Sequence, residues 1–308
     1  MHVLDAAATR AALPFAALIP ALARMFAAGC EVPPRHVHQV GAGLVSLVMP
    51  AWLPDRYYGV KVVNVAAGNA ARGLPGVLGS YQLFDATTGA PLAMLDGGEL
   101  TARRTAAASA LAASRLARAD ARRLLVVGAG AIAALAPHAL GEVLPIAEVE
   151  VWARRAGAAQ ALAARLRADG LDARAATDLA EAAARADIVS CATHAFEPLL
   201  RGEWLAPGVH LDLVGSFTPA MRECDDGCFA GAHVWIDTDE ALAKSGELLA
   251  PLASGALSRA QLKGTLRDLC VAPAPVLDAS ARTIFKSVGT ALEDLAAAIL
   301  AAEGQART

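Results

Sequence analysis

Arg122–Leu135 reads RRLLVVGAGAIAAL, and few stretches of protein sequence are compatible with so few folds. Leu124–Val127 is a short apolar run with β-branched residues, as in a parallel strand buried on both faces. Gly128-Ala129-Gly130 follows at once, and Ala133 completes the spacing G-x-G-x-x-A. The Ala/Leu-rich continuation has strong helix propensity. Strand, glycine turn and helix in that order form the dinucleotide-binding fingerprint. Gly128 permits the sharp turn. Gly130 has no Cβ, so a pyrophosphate can approach the backbone. Ala133 lets the helix lie close to the strand. The unpaired N–H groups at the helix start, at Ala131 and Ile132, are then aimed at phosphate.

Around this stretch the pattern changes character. Before it, apolar alternation predicts strands at 36–40, 43–49, 57–65, 78–83 and 91–96, with a helix pair up to about Gly29 and a helix over 101–119. This is a mostly antiparallel sheet with helices on it. After it, strands and helices alternate, which is the mark of a parallel sheet. Strands are predicted at 148–152, 187–193, 209–214 and 233–238, and helices at 156–168, 240–249 and 258–269. The last segment, 280–302, starts as a short strand and continues as a long helix. The fold class is therefore α/β, with a Rossmann-type parallel sheet beside a second, α+β part.

Composition excludes several partners. A net charge of −3 over 308 residues gives no broad cationic field for nucleic acid or anionic membrane. The apolar stretch 11–30 contains Pro14, Pro20 and Arg24, which favours a packed helix over a membrane span. The start of the chain has no basic n-region, so no signal peptide is expected. Five cysteines cannot all pair within one chain. Cys224 and Cys228 lack the further ligands of a zinc site, so free thiols in a reducing cytoplasm and no metal are expected.

Five stretches, read together, give a more specific indication: LDGGELTARRTAAA at 95–108, the glycine fingerprint, EPLLRGEWLAPGVHLDLVGSFTPAMRE at 197–223, DTDEALAKSGEL at 237–248 and FKSVGTALEDL at 285–295. In this order they resemble the ornithine cyclodeaminase/μ-crystallin family over nearly the whole chain. The resemblance implies a Rossmann domain, 119–279, inserted in a substrate-binding and dimerisation domain made of 1–118 and 280–308. It also implies a homodimer. Arg35, Lys61 and Arg104 match the positions that hold the substrate carboxylate in the family. An arginine fork fits a carboxylate with two hydrogen bonds. Lys61, between Val60 and Val62, could also hand over a proton if burial lowers its pKa. Arg103 should point away from the site that Arg104 faces, because neighbouring helix residues diverge.

The cofactor type is read at the end of the strand 148–152. NAD sites usually carry an acidic residue there, but this chain continues Ala153-Arg154-Arg155. Arg154 and Arg155 suit a 2′-phosphate, so NADPH is expected in preference to NADH, which stays possible. Glu148 and Glu150 are expected to face solvent. Cys191 and Thr193, with Ser190, end one strand, and Val214 ends the next, followed by Ser216. These tips are where the nicotinamide side should lie. Lys286 and Ser287 resemble the family's closing segment. His194 is a candidate acid, although a lone histidine after a strand is more often structural.

Two departures bear on the reaction. Cyclodeaminating members carry an aspartate where this chain has Phe217, and a glutamate where it has Leu47, ahead of Met49-Pro50. Phenylalanine moves no proton, and an ammonium buried without a carboxylate is costly. What remains suits reduction of a cyclic ketimine carboxylate, pyrroline-2-carboxylate to proline or piperideine-2-carboxylate to pipecolate, with an imino or amino acid as the small-molecule partner. Ornithine cyclodeamination, an alanine-type dehydrogenase and a non-catalytic binding protein stay open as alternatives.

Overall fold

A computed structural model describes residues 1–66 and 68–305, so positions 67 and 306–308 of the expected first domain lie outside it. In chain order the elements are β1 (His2–Leu4), α1 (Ala6–Ala12), α2 (Phe15–Ala28), β2 (His36–Gly41), β3 (Leu44–Leu53), β4 (Tyr57–Ala66), β5 (Val77–Asp85), β6 (Pro91–Asp96) and α3 (Gly97–Leu116). Then come β7 (Arg123–Val127), α4 (Ala131–Gly141), β8 (Glu148–Trp152), α5 (Ala156–Ala168), β9 (Ala173–Ala175), α6 (Leu179–Arg185), β10 (Ile188–Cys191), β11 (His210–Leu213) and β12 (His233–Ile236). The chain ends with α7 (Ala241–Lys244), α8 (Gly246–Ser254), β13 (Leu262–Thr265), α9 (Leu266–Val271), β14 (Thr283–Lys286) and α10 (Ala291–Gln305).

Two compact units result, one of Met1–Thr105 with Thr290–Thr308, the other of Ala106–Gly289. The boundaries differ from the expected 118/119 and 279/280. The second shift comes from β14, which pairs with β11 on one side and β12 on the other and so belongs inside the parallel sheet, whereas the first boundary falls within α3.

The first unit is built on a six-stranded sheet in the order β1-β6-β5-β4-β3-β2. Every pairing is antiparallel except β1 with β6, a strand the alternation did not reveal because it is only three residues long. Opposed residues share a face, so the register Met49↔Lys61↔Tyr81 places these three on one side. That side is the buried one, with Met49, Ala51, Tyr81, Leu83, Ala93 and Leu95 all in the core. Gly59 sits there as well, because a Cβ would come within 1.9 Å of the Tyr81 hydroxyl. Helix α2 follows Pro14 as its N-cap and turns Phe15, Leu18, Ile19, Leu22 and Phe26 inward. Among the described residues no single helix is long and apolar enough to cross a membrane, and α1 and α2, which together would be, meet at 73°.

The second unit holds an eight-stranded parallel sheet, β13-β12-β14-β11-β10-β7-β8-β9. Its core combines Leu125, Val127, Val189, Cys191, Leu211, Leu213, Val234 and Ile284 with residues of the flanking helices. The order reverses between β7 and β10, which creates the crevice at the carboxyl ends where such sheets take ligands. Two strands here were not expected. Residues 258–269 read as one helix, but Leu262–Thr265 pairs with β12 before α9 begins at the capping box of Thr265 and Asp268. The short β9 closes the other edge beside β8.

Candidate active site

In the first unit two predicted cations come together on a partner the sequence reading missed. Lys61 enters from the buried face of β4 and is 2% exposed; Arg104 enters from α3 and is 5% exposed. Both end on Asp294, in the first turn of α10. The Lys61 Nζ donates to Asp294 Oδ1 at 2.8 Å and lies 2.7 Å from Oδ2. The Arg104 Nε donates to the same Oδ1 at 2.9 Å, and its Nη1 donates to Glu293 Oε2 at 2.5 Å. Thr101 Oγ1 accepts a longer bond of 3.3 Å from Lys61. Acidic residues in a helix's first turn are favoured by its dipole, which suits Glu293 and Asp294 to this place. The pair stands inside FKSVGTALEDL, so a search for counter-charges to two buried cations would have found it.

Burial lowers the Lys61 pKa and Asp294 raises it, with Arg104 lowering it further; the balance is about 8. Burial also opposes the Arg104 charge, but Asp294 and Glu293 outweigh it and hold the guanidinium above its ordinary value. For Asp294 burial works upward, yet Lys61 and Arg104 keep the carboxyl below its usual range. The cluster is thus ionised on both sides.

Two of the five guanidinium N–H groups of Arg104, one on Nε and one on Nη1, are engaged by Asp294 and Glu293; the other three lie on Nη1 and Nη2. Arg103 behaves as expected of a neighbour pointing elsewhere: its Nε donates to the Leu13 carbonyl at 2.7 Å and its guanidinium lies 4.3 Å over the Phe15 ring. Arg35 is half-buried just ahead of the edge strand β2.

In the second unit the fingerprint has its required geometry. Gly128 has φ +127°, and a Cβ there would meet the Ala192 carbonyl oxygen at 2.6 Å. Gly130 caps α4, with open space where its Cβ would stand, and Ala133 is fully buried against the sheet. Gly130 and Ala131 are exposed and Ile132 is half-buried, so the N-terminus of α4 is accessible to phosphate. This open, donor-lined turn fits a dinucleotide. Arg154 and Arg155 are exposed just past β8, and among the described residues their side chains make no hydrogen bond or ion pair. Glu150 is not solvent-facing as expected: it is buried, with Arg174 at 2.6 Å and Arg185 at 3.1 Å. Edge strand β9 brings Arg174 over it.

At the strand tips the pairing aligns Val127 with Cys191, Cys191 with Leu213, and Leu213 with Lys286. Cys191 lies in the hydrophobic core and Lys286 is fully buried, its Nζ donating to the carbonyls of Leu213 and Ser287 at 2.8 and 2.5 Å. The strand alternation that exposes tip backbone turns these side chains inward. Ser190 and Ser216 are likewise buried, donating to Asp212 and to the Met221 carbonyl. Thr193, half-buried, and Val214 end their strands at the tips. They are joined by a residue not singled out before, Glu223. Its Oε1 accepts from Thr193 N and Oγ1 at 2.7 and 2.8 Å, and its Oε2 accepts from Gly215 N at 2.6 Å. Burial, with Glu247 nearby, pushes the Glu223 carboxyl upward. His194 and Phe217 are both exposed and meet edge to face with ring centres 6.1 Å apart. Among the described residues no group of three or more His, Cys, Asp or Glu is disposed to hold a metal.

A parallel-sheet unit with this glycine turn defines a dinucleotide-binding class of protein, and the other unit holds a buried lysine–arginine–carboxylate cluster. The chain belongs to the ornithine cyclodeaminase/mu-crystallin family, whose sequence model matches residues 9–306. It is 44% identical over 248 residues to the Delta(1)-pyrroline-2-carboxylate reductase of Paracoccus denitrificans, across 80% of this chain and 78% of that one. The solved structure of Thermococcus litoralis Delta(1)-pyrroline-2-carboxylate reductase in complex with NADH and L-proline has a TM-score of 0.93 at 31% identity, covering 100% of this chain and 98% of that chain. An archaeal alanine dehydrogenase dimer with bound NAD has a TM-score of 0.92 at 26% identity, covering 100% and 96%.

The open space above Gly130 yields a direct test. Gly130→Val should leave thermal stability within about 1 kcal/mol of wild type, because nothing stands within 4 Å of the added carbon. It should weaken NADH binding by roughly a hundredfold, near 3 kcal/mol, as read by calorimetric titration.

Proposed function

We propose that this chain is an oxidoreductase that reduces cyclic ketimine carboxylates, pyrroline-2-carboxylate to proline and piperideine-2-carboxylate to pipecolate. The carrying observation is the Lys61–Arg104 pair on Asp294: two buried cations, each with donors left over. An ammonium has three protons and a guanidinium five, so the pair can take one carboxylate and serve one imine nitrogen. Leu47 shares the Lys61 face, through the register Leu47↔Val63 beside Met49↔Lys61, and offers nothing to a distal ammonium. Phe217, exposed after β11, has no acid or base function. Both speak against deamination of a diamino acid.

A bound reduced nicotinamide supplies hydride to the imine carbon. Arg104, through its remaining N–H groups, and Arg35 hold the carboxylate, and the one Lys61 proton not engaged by Asp294 or Thr101 is the proton that the nitrogen gains. With its pKa near 8, Lys61 is charged at neutral pH and still able to release its proton. Arginine cannot serve in its place, since it keeps its proton at any working pH. Gly128, Gly130, Ala131 and Ile132 hold the pyrophosphate, and Thr193 and Val214 line the nicotinamide end. Arg154 and Arg155, exposed and unpaired at the end of β8, support NADPH over NADH.

A homodimer is supported by the far face of the first sheet. Trp52, Tyr58, Val60, Val62, Phe84 and Met94 are half-buried or exposed there, an apolar group on one face of the kind that marks contact between protein chains. The free state of all five cysteines supports a reducing, cytoplasmic setting.

Three measurements check this. Loss of reduced-nicotinamide absorbance with either ketimine is expected for wild type. Lys61→Met should remove turnover by at least about a thousandfold, as for loss of a positioned acid and charge, while nucleotide affinity stays; surviving turnover would remove Lys61 from the chemistry. Arg154→Ala with Arg155→Ala should raise the Kd for NADPH tenfold or more, roughly 1.4 kcal/mol, and leave NADH nearly unchanged. Equal losses would mean that they do not read the 2′-phosphate. Light scattering should give a dimer mass for wild type, and Val62→Glu should shift it toward the monomer. A monomeric wild type would overturn the assembly.

A further inference from the structure

Lys61 and Arg104 reach the interior of the first unit from different elements, and neither backbone fixes the end of so long a side chain. Each carries close to the largest rotamer entropy of any residue. What orders both is one carboxylate on a third element. Asp294 is fully buried, so it is closed to any ligand itself. Its helix is anchored by Leu295, Ala297 and Ala298, all fully buried, which fixes the carboxylate relative to the sheet. Asp294 Oδ1 takes both Lys61 and Arg104 Nε, and Glu293 takes Arg104 Nη1. With Thr101 as a third partner, one Lys61 proton, the second Nη1 proton of Arg104 and its Nη2 group are left over.

We propose that Asp294 is the positioning residue of the reductase site: without touching substrate, it fixes the Lys61 ammonium and the Arg104 guanidinium in one orientation and keeps Lys61 charged until it releases its proton. The proposal rests on the ketimine-reductase reading above. In the step, the N–H bond of Lys61 breaks, a new N–H bond forms on the imine nitrogen, and Lys61 is left neutral. Asp294 must not take that proton instead. Arg104 secures this, because its permanent charge sits on the same oxygen and makes Asp294 a poor base. The sharing of one carboxylate by a titrating and a non-titrating cation is therefore functional, and a lysine–aspartate pair alone would lack it.

The groups that face Lys61 are Asp294 and Glu293 from α10, Arg104 and Thr101 from α3, and Tyr81 from β5, with the Cys30 thiol beyond Tyr81. Asp294 and Glu293 support the charge, Arg104 opposes it, and the tyrosine and thiol stay neutral, their pKa values raised by burial. Removing the Asp294 charge leaves desolvation and Arg104 less opposed, so Lys61 must lose its proton at lower pH.

The test is kcat/KM for the ketimine against pH, with saturating NADPH, in wild type, Asp294→Asn, Asp294→Glu and Glu293→Gln. Wild type should lose activity as pH rises through about 8. Asp294→Asn should fall by about a hundredfold, the scale of an ångström-sized misplacement, and its alkaline limb should move down by about one pH unit or more. Glu293→Gln, which removes the smaller electrostatic support of Lys61 and a carboxylate hydrogen-bonded to Arg104, should move the limb less. An Asp294→Asn limb that stays in place, or moves no further than that of Glu293→Gln, overturns the proposal. If Asp294→Asn does not fold, Asp294→Glu decides. Its longer carboxylate keeps the charge but displaces the cations, so kcat should fall with the limb in place, and an unchanged kcat overturns the proposal. Titration of the Lys61 side-chain nitrogen by NMR, assigned with Lys61→Met, reads the same shift with no substrate present. A wild type inactive on both imines therefore defeats the ketimine reading, while the NMR shift between wild type and the Asp294 variants still decides the proposal.

Discussion

Two cations cannot share a dry interior unless negative charge lies between them. Desolvation alone removes several kcal/mol of favourable hydration from each ion, and their mutual repulsion adds to it. Lys61 and Arg104 coexist because α10 returns the chain, from 190 residues further on, to place Asp294 between them. Much of the first unit follows from this. The buried face of the sheet carries Lys61 in the register of Met49 and Tyr81. Gly59 gives Tyr81 room beside it. The apolar side of α10 locks the helix so that its first turn cannot drift. The site is neutral as a whole, and its directionality comes from which donors are used and which are left.

The second unit uses a related device for a different end. There, buried carboxylates are held by backbone N–H groups. Glu223 ties Thr193 to Gly215, and Glu247 accepts from the N–H groups of Glu223 and Cys224. Asp237 accepts from Val288 and Gly289. Lys286 stands among them as the cation and spends its protons on carbonyls. Loops at the carboxyl ends of parallel strands have few partners of their own, and these carboxylates supply them. The strand tips, where such sheets take ligands, are in this way made rigid from within.

Much of this architecture was legible in the chain because its determinants are local. Strands 148–152 and 283–286 show in their β-branched and aromatic residues, and helix 156–168 in its composition. Where the reading failed, long-range pairing had overridden local propensity. Leu262–Thr265 is a strand because β12 offers an edge, although its flanks favour helix. Glu150 is buried because Arg174 and Arg185 arrive from other elements. Lys286, in the segment that resembles the family's closing segment, has its side chain inside because β14 pairs between β11 and β12, a placement that no local pattern records.

By itself the sequence determined the dinucleotide turn, since strand, glycines and helix start all fall within fourteen residues and need nothing from elsewhere. It also marked Lys61 and Arg104, through the family's motifs, as the cations of the site. Only the tertiary structure decided what those cations do. It showed that they share Asp294, that two nitrogens of the arginine are already committed, and that the lysine is held near its titration point. Side-chain ends on three separate elements meet only once sheet and helices have closed, and no periodicity along the chain records that meeting.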